Sequence, residues 1–476
     1  KWRNGAGSGK SGQQWLAMTI LFAALAPIAK ENGVLALPLI LLLEVSYLRG
    51  QSITGVKIRG FLGVATWLLV FLFVVAVVAV MQRWDGLTTG YASRGFTLTD
   101  RLLTQPTILW DYVLQFYVPD IRRMGVYHDD FPVSSTLFEL PVTLYSIAAW
   151  GGIIIASVTL FIKKRGSTLV YCVLFFLAAH SIESSFLALE MYFEHRNYLP
   201  SVALALLPSA LLGTLLPAYR DVLKPLLAWG AIYAMYLLIQ TATLAQVWSS
   251  PTLLMIHHYA AHPNTSRAND AMASRLAQLG DYGAASSYAE AAFKAAESQK
   301  SARPVRVGDY HLKNIALACL ARHPMPRADL ARLGVQNPER PLADSNLLAI
   351  INRMTTTQRC TAMDWGSLGE QLASIYLDTP RPDRASHAVY TSLAAFSNAL
   401  QRYDWAFKYT SLALMLNPSQ PQTLLMHLHF SAAIAADSEY DMAMSKLLKL
   451  CQAGSLTMEQ ERTLSLYQGG EACGLQ

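Results

Sequence analysis

The sequence predicts an all-α protein in two parts, a polytopic bundle of transmembrane helices followed by a soluble α-solenoid of helical hairpins. Of the 476 residues, 53% are hydrophobic and only 15% are charged, a balance typical of membrane proteins. The apolar residues concentrate before Trp248, and amphipathic helices rich in Ala and Leu begin near Pro263. We therefore expect a basic cytoplasmic stretch over residues 1–14, a membrane domain over 15–248 and a soluble domain over 262–476.

Seven hydrophobic runs are candidates for membrane crossings. A spanning helix needs about 17–25 residues. The first two runs are short and need flanking residues such as Gln13 and Arg49, whereas most of the others reach this length unaided. The seven runs cover residues 15–29, 34–48, 60–81, 143–161, 168–187, 201–217 and 222–247.

Basic residues in the short connections predict the orientation. If every run crosses, four basic clusters fall on one side, which is then the cytoplasm. The net charge of +6 is thus an orientation signal, and we expect no nucleic-acid partner. In a bacterium the opposite side is the periplasm, which receives residues 30–33, the loops 82–142 and 181–200, and the soluble domain. The clusters are Lys1, Arg3 and Lys10; Arg49, Lys57 and Arg59; Lys163, Lys164 and Arg165; Arg220 and Lys224.

The soluble domain contains a repeated pattern of aromatic and small residues. Tyr, Ala, Tyr and Ala recur at the same offsets in two places, and a third place repeats the first half. The pattern resembles tetratricopeptide repeats, in which a small Ala lets paired helices approach closely. Chance similarity among Ala-rich helical pairs is the alternative, and residues 304–382 are too rich in Pro to count repeats. The positions are Tyr282, Ala285, Tyr288 and Ala292; Tyr403, Ala406, Tyr409 and Ala413; Tyr440 and Ala443.

Two further sequence features, a glycine-rich motif and the cysteines, do not indicate a nucleotide-binding or zinc-binding site. Residues 5–11 resemble a phosphate-binding loop, but Asn4 replaces its first glycine and no strand precedes it, so we expect a flexible basic stretch. The five cysteines form no zinc-binding spacing. In a periplasmic domain, Cys319 with Cys360 and Cys451 with Cys473 could form disulfides, a pairing that the sequence leaves open.

Charged residues at the outer membrane edge are the first site candidates. Lys30 and Glu31 stand between two apolar runs, where ionised groups are costly unless they pair or line a wet cavity. A solvated turn is the alternative. Farther on, Arg94 and Arg101 precede a stretch, residues 107–119, that is too short and polar to cross and is expected to lie along the interface. These arginines could clamp a lipid phosphate or simply anchor the segment.

Two polar stretches follow on the same face. His128, Asp129 and Asp130 could bind a divalent cation or supply a base, although a surface turn is the simpler interpretation. The richest stretch runs from Glu190 to Pro200 and contains the consecutive polar residues Glu194-His195-Arg196-Asn197, directly before an apolar run that Pro200 can begin. It offers a base, a proton carrier and an anion clamp, more than an interfacial belt requires.

The order of these motifs is similar to that of one enzyme family. Lys30-Glu31-Asn32-Gly33, the Arg-Leu-Leu-Thr-Gln segment at 101–105, the Glu194 stretch and the trailing repeats resemble bacterial relatives of the transmembrane and tetratricopeptide-repeat O-mannosyltransferases, within the GT-C class. The resemblance implies transfer of a sugar from a polyprenyl-phosphate-linked donor to a protein hydroxyl, with the repeats presenting a protein or peptide acceptor.

The resemblance also implies roles for individual residues. Phosphate binding falls to Arg196 and Arg101, with Arg94 and Lys30 as further cations, and a divalent cation stays an open cofactor option. Active-site support falls to Glu31, Glu194 and His195. In this class the principal acid usually lies in the first outer loop, between the first two membrane helices. If Trp15 begins a later helix, that loop lies upstream of Lys1, which leaves Asp129 or Asp130 as substitutes for the acid.

Two other functions remain open from the sequence. A non-enzymatic scaffold that displays the repeats for envelope or pilus assembly needs only the anchoring helices. A ligase that moves a lipid-linked oligosaccharide would use His195 and Arg196 in similar roles.

Overall fold

A computed structural model describes residues 10–49, 51, 61–88, 90–91, 94–215, 223–298, 307–323, 342–361 and 363–469. The chain divides into two compact units, Lys1–His262 and Pro263–Gln476. The regular elements of the described residues are helices, as the sequence predicts. Several residues used in the predictions lie outside the described part: Lys1, Arg3, residues 5–9 of the motif compared with a phosphate-binding loop, Lys57, Arg59, Arg220 and Cys473.

Ten helices in the described part form the first unit. Residues 31–35 and 194–197 are short 3-10 turns, and residues 44–48 form a π-helical turn. The helices are α1 Lys10–Ala29, α2 Ala36–Leu43, α3 Phe61–Gln82, α4 Trp84–Thr88, α5 Leu98–Tyr117, α6 Pro141–Ile162, α7 Ser167–Ala179, α8 Ser201–Leu215, α9 Leu223–Trp248 and α10 Pro251–Ala261.

Four helical stretches in the described part are long and apolar enough to cross a membrane. They are Glu31–Leu48, Leu62–Gln82, Pro141–Ile162 and Pro225–Trp248. The other three predicted runs contain shorter apolar helices, Ala17–Ala29, Ser167–Ala179 and Ser201–Leu212.

The fifth run is helical over only part of its predicted length. It extends to residue 187 in the sequence, but α7 ends at Ala179 and the following residues form turns and irregular backbone. Side chains from α5 donate hydrogen bonds to backbone carbonyl groups of this segment, so these carbonyls are satisfied without a helix. The irregular segment, residues 180–193, leads into the Glu194 stretch.

Helix α5 is longer than the interfacial stretch that the sequence predicts. A capping box begins it, because Thr97 and Asp100 each accept a hydrogen bond from the other's backbone N–H. Its buried face includes Arg101, Gln105 and Tyr112, all of which contact residues 180–197. The amphipathic helix thus carries the segment that holds most of the candidate residues.

The second unit consists of successive helices that pack against their neighbours in the chain. One hydrophobic cluster extends from Leu312 to Phe430 and another from Leu414 to Leu464. The helices are α11 Ser266–Gln278, α12 Tyr282–Ser298, α13 Val307–Leu320, α14 Ser345–Thr356, α15 Trp365–Leu377, α16 His387–Ala399, α17 Tyr403–Leu416, α18 Pro421–Ala433, α19 Asp437–Gln452 and α20 Met458–Tyr467.

The small residues of the repeated pattern lie where helices meet. Each repeated Ala is fully buried, at 0% exposure: Ala285, Ala292, Ala406, Ala413 and Ala443. In the proline-rich region, α14 packs against α16, so this region also contributes to the stack. Cys319 and Cys360 form a disulfide with 5.6 Å between their Cα atoms.

Candidate functional site

The irregular segment and the 3-10 turn that follows it, residues 180–197, bring Arg196 together with Arg94 and Arg101, which lie more than 90 positions earlier in the chain. Arg101 lies in the first turn of α5, and its side chain is fully buried. Burial and then the charge of Arg196 lower the pKa of Arg101 to about 10. The guanidinium donates to backbone carbonyls, so direct contact with a lipid phosphate is not supported. The four acceptors are the carbonyl oxygens of Glu183, Ser185, Leu189 and Glu190, at 2.5–3.0 Å.

Arg196 lies on the same segment and is only 8% exposed. Its Nη1 donates to the carbonyl of Glu190, and its Nε lies 3.5 Å from Glu183 Oε2. The other carboxylate oxygen of Glu183 accepts from Asn32 Nδ2. Burial lowers the pKa of Arg196. Glu183 therefore joins the Lys30–Gly33 turn to the arginines.

Arg94 is the most accessible of the three arginines. Its side chain is 29% exposed and pairs with Glu190, whose Oε1 lies 2.5 Å from Arg94 Nη1. Its Nε donates to the carbonyl of Ala188 at 3.0 Å. The three guanidinium groups carry one more positive charge than the carboxylates of Glu183 and Glu190 can balance. We call these five side chains the arginine cluster.

Glu194 lies on the same 3-10 turn as Arg196 and is held by a second group of contacts. Its Oε1 accepts from the backbone N–H of Gly125 at 3.0 Å and lies 2.8 Å from His128 Nε2. The same His128 nitrogen lies 3.1 Å from the carbonyl of Gly125. Because both neighbours are acceptors, Nε2 must carry the proton and donate. The Glu194 carboxylate is thus fixed in orientation while staying 28% exposed.

Helix α10 attaches to the loop that carries His128 through three histidines. His257 Nε2 donates to the carbonyl of Met124 at 2.9 Å, and His258 Nδ1 accepts from the N–H of Val126 at 3.2 Å. His262 Nδ1 lies 2.9 Å from Asp130 Oδ2. We call these contacts the histidine latch.

Burial and the interaction with His262 act in opposite directions on the pKa of Asp130 in the histidine latch. Burial raises it, but the hydrogen bond and the charge of His262 outweigh burial, and the net pKa is lowered. Asp130 is therefore a partner of His262, which gives it a structural role alongside the predicted catalytic one.

The structure does not bring every predicted residue into these groups. Lys30 and Glu31 are exposed, and only their neighbour Asn32 reaches the arginine cluster. His195 is also exposed, with its ring 5.1 Å from that of Phe193. Asp129 is half-buried next to the latch. Within the described ranges, no group of three or more His, Cys, Asp or Glu side chains could hold a metal ion.

Sequence reasoning named Glu190 without giving it a role and missed two other members of the site, Glu183 and His258. Glu183 falls inside a run assigned to a membrane helix, where a lone carboxylate was the available signal. Glu190 stands at the edge of the Glu194 stretch. His258 belongs to an adjacent pair with His257 at the end of an apolar helix, a signal that does not point to any particular partner.

Comparisons with known proteins add no family to this picture. No protein-family model matches the chain, and no curated protein matches it.

Proposed function

We propose that this chain is a membrane glycosyltransferase of the GT-C class that moves a sugar from a polyprenyl-phosphate-linked donor to a protein hydroxyl. The observation that carries the proposal is that Arg94, Arg101 and Arg196 converge on the segment that also carries Glu194. Cations stabilise a departing phosphate, and a carboxylate takes the proton of an attacking hydroxyl.

The proposal places the first unit in a bilayer. Side chains such as Trp67 and Phe73 on α3 are 75% and 68% exposed, an apolar surface that water would penalise. Together with the four basic clusters, this supports a multi-pass protein of the bacterial inner membrane whose arginine cluster faces the periplasm.

Each residue of the site has a distinct role in the proposed reaction. Arg94 and Arg196 contact the lipid phosphate, since their side chains, at 29% and 8% exposure, are more accessible than that of the fully buried Arg101. Arg101 is a positioning residue that holds the segment on which Arg196 stands. Glu194 accepts the hydroxyl proton, with His128 orienting it. The helical hairpins of the second unit, as tetratricopeptide-like repeats, present the acceptor.

A transfer assay tests these roles. Full-length protein in nanodiscs is supplied with polyprenyl-phosphate-sugar and a Ser/Thr peptide, and Glu194→Gln and Arg196→Ala are compared with the wild type. We expect each to lose about 100-fold or more in rate, as for other removals of a proton acceptor or charge stabiliser. Arg122→Ala is the matched control, because the Arg122 side chain is 86% exposed and its ion-pair partner among the described residues is Asp120, outside the arginine cluster. Unchanged rates in both site variants would remove these residues from the mechanism.

One observation favours a non-enzymatic scaffold instead. Most donors of the arginine cluster are already satisfied within the protein, as a purely structural network would require. The scaffold predicts that the second unit, fused to an unrelated membrane anchor, restores envelope or pilus assembly in a deletion strain. The transferase predicts that the fusion fails.

An oligosaccharide ligase would use the same cations and carboxylate. Mass spectrometry of the modified acceptor distinguishes the two, because a single sugar and a polymer add very different masses.

A further inference from the structure

The backbone of Gly125 contacts both Glu194 and helix α10. Its N–H donates to Glu194 Oε1 at 3.0 Å, and its carbonyl accepts from His128 Nε2 at 3.1 Å. The same His128 nitrogen lies 2.8 Å from Glu194 Oε1, which closes a ring of three contacts. A carboxylate oxygen held by two donors has little freedom to turn. The place of the Gly125 backbone therefore fixes the place of the carboxylate.

The ring of His258 on α10 comes very close to the same backbone. A Cβ at position 125 would lie 2.9 Å from His258 Nδ1 and 3.6 Å from His262 Cδ2, and the first distance is shorter than van der Waals contact permits. The φ angle of Gly125 lies outside the left-handed region, so the backbone conformation alone does not require glycine. Glycine is required at this position because the ring of His258 leaves no room for a side chain.

The ring of His258 is itself held in place. His258 is 1% exposed, and its Nδ1 accepts from the N–H of Val126 at 3.2 Å. The other two histidines of the latch tie α10 to Met124 and Asp130, on either side of Gly125 in the chain. Because packed groups have little room to yield, an atom added between this ring and Gly125 would displace the Gly125 backbone.

These contacts join α10 to Glu194 in sequence, from ring to backbone to carboxylate. We propose that His258 and Gly125 are positioning residues for Glu194: the ring of His258 sets where the Gly125 backbone lies, and that backbone sets the orientation of the carboxylate. Both act through Glu194 and not on the substrate. Treating Glu194 as the proton acceptor rests on the proposed transferase, but its orientation is measurable without any transfer.

Carboxyl footprinting of the full-length protein in nanodiscs tests the positioning directly. The probe is a water-soluble carbodiimide with glycinamide, and mass spectrometry measures the rate at which Glu194 is modified. At 28% exposure, the Glu194 side chain is accessible to the reagent. In Gly125→Ala the added methyl displaces the backbone donor, so we expect Glu194 to be modified about fivefold faster.

Removing the ring of His258 should relieve the effect of the added methyl. In His258→Ala we expect a smaller rise, about twofold, because the hydrogen bond to Val126 is lost without any crowding. The double variant should match His258→Ala, since the space left by the ring accommodates the methyl. If Gly125→Ala lowers the melting temperature, this double variant decides. Gly151→Ala in α6 is the matched control and should behave as the wild type, because a Cβ there would meet no atom of the described residues within 4 Å outside its own helix backbone.

The transfer assay gives a second readout. We expect Gly125→Ala to lower kcat about tenfold, as a displacement of about 0.5 Å at a proton acceptor would. KM should stay unchanged, because the substitution leaves the arginine cluster untouched. The double variant should recover to the rate of His258→Ala. A latch with only a structural role would change the melting temperatures and leave both the modification of Glu194 and kcat as in the wild type.

The outcomes separate this inference from the proposed function. Wild-type modification of Glu194 in Gly125→Ala, or additive effects in the double variant, would overturn the positioning role. The expected footprinting pattern without sugar transfer by the wild type would retain the positioning role and refute the transferase. Undiminished transfer in Gly125→Ala, alongside a wild type that transfers sugar, would retain the transferase and refute the positioning role.

Discussion

The histidine latch should weaken in mildly acidic solution because His258 must stay neutral to hold it. Its Nδ1 accepts from the N–H of Val126, and its side chain is 1% exposed. Burial, followed by the positive charges of His257 and His262, lowers the pKa of His258 from 6.5 to about 4. Glu194 opposes this shift, and His128 adds to it.

The sign and size of the effect follow from proton linkage. The pKa of His258 is depressed in the folded state, so the stability it confers is complete above pH 6.5 and is lost as the pH falls toward 4. Between pH 7.4 and 5.5 the loss is about 1.3 kcal/mol, which raises the opening equilibrium of the latch about tenfold; by pH 4 it reaches about 3 kcal/mol.

Hydrogen exchange at the amide of Val126 measures this opening directly. After correction for the intrinsic pH dependence, its protection should fall about tenfold from pH 7.4 to 5.5. In His258→Gln the amide oxygen can still accept from Val126 but does not titrate, so the tenfold decline due to His258 should be lost. His429→Gln, an exposed histidine of the second unit, should behave as the wild type. Constant protection in the wild type, or the same decline in His258→Gln, would refute the role assigned to His258.

Three further predictions concern stability. Arg101→Met leaves four buried carbonyls without a donor and should destabilise the first unit by about 3–5 kcal/mol in a detergent melt, whereas Arg122→Met should leave the transition unchanged. Leu393→Ala, at a side chain with 0% exposure, should cost the second unit about 2–5 kcal/mol by denaturant titration, and Ile350→Ala, at 53% exposure, should cost much less. Replacing both Cys319 and Cys360 by Ser opens a loop of 41 residues and should lower the free energy of unfolding of the second unit by about 4 kcal/mol. A variant that melts at the same temperature as the wild type would contradict a stabilising disulfide.

The helices of the first unit were predictable because their signal is local. An apolar run long enough to span a bilayer forms a helix whatever its neighbours are, and α3 and α6 follow their runs closely. The end of α7 was not predictable in this way. It depends on donors from Arg101, which lies more than 80 positions earlier in the chain.

The site was predictable in its residue types but not in its contacts. The composition of the stretch around Glu194 marked it as a candidate site, and in the structure this stretch packs against Arg94 and α5. Which arginine is buried against carbonyls and which stays accessible depends on how α5 packs, and no spacing in the sequence reports this. The pairing of Cys319 with Cys360 was open for the same reason.

The burial and charge balance of the arginine cluster bear on the proposed binding role. An anchoring arginine extends its charge into water or headgroups, yet Arg101 is fully buried and Arg196 nearly so. The nearest carboxylate oxygen to Arg196 Nε is at 3.5 Å, and Arg101 hydrogen-bonds carbonyls rather than a counter-ion. Their mutual repulsion contributes to the lowered pKa of Arg101, and the carboxylates of Glu183 and Glu190 leave one net positive charge in the cluster. A lipid phosphate beside Arg94 and Arg196 would balance that charge, as the proposed transferase requires.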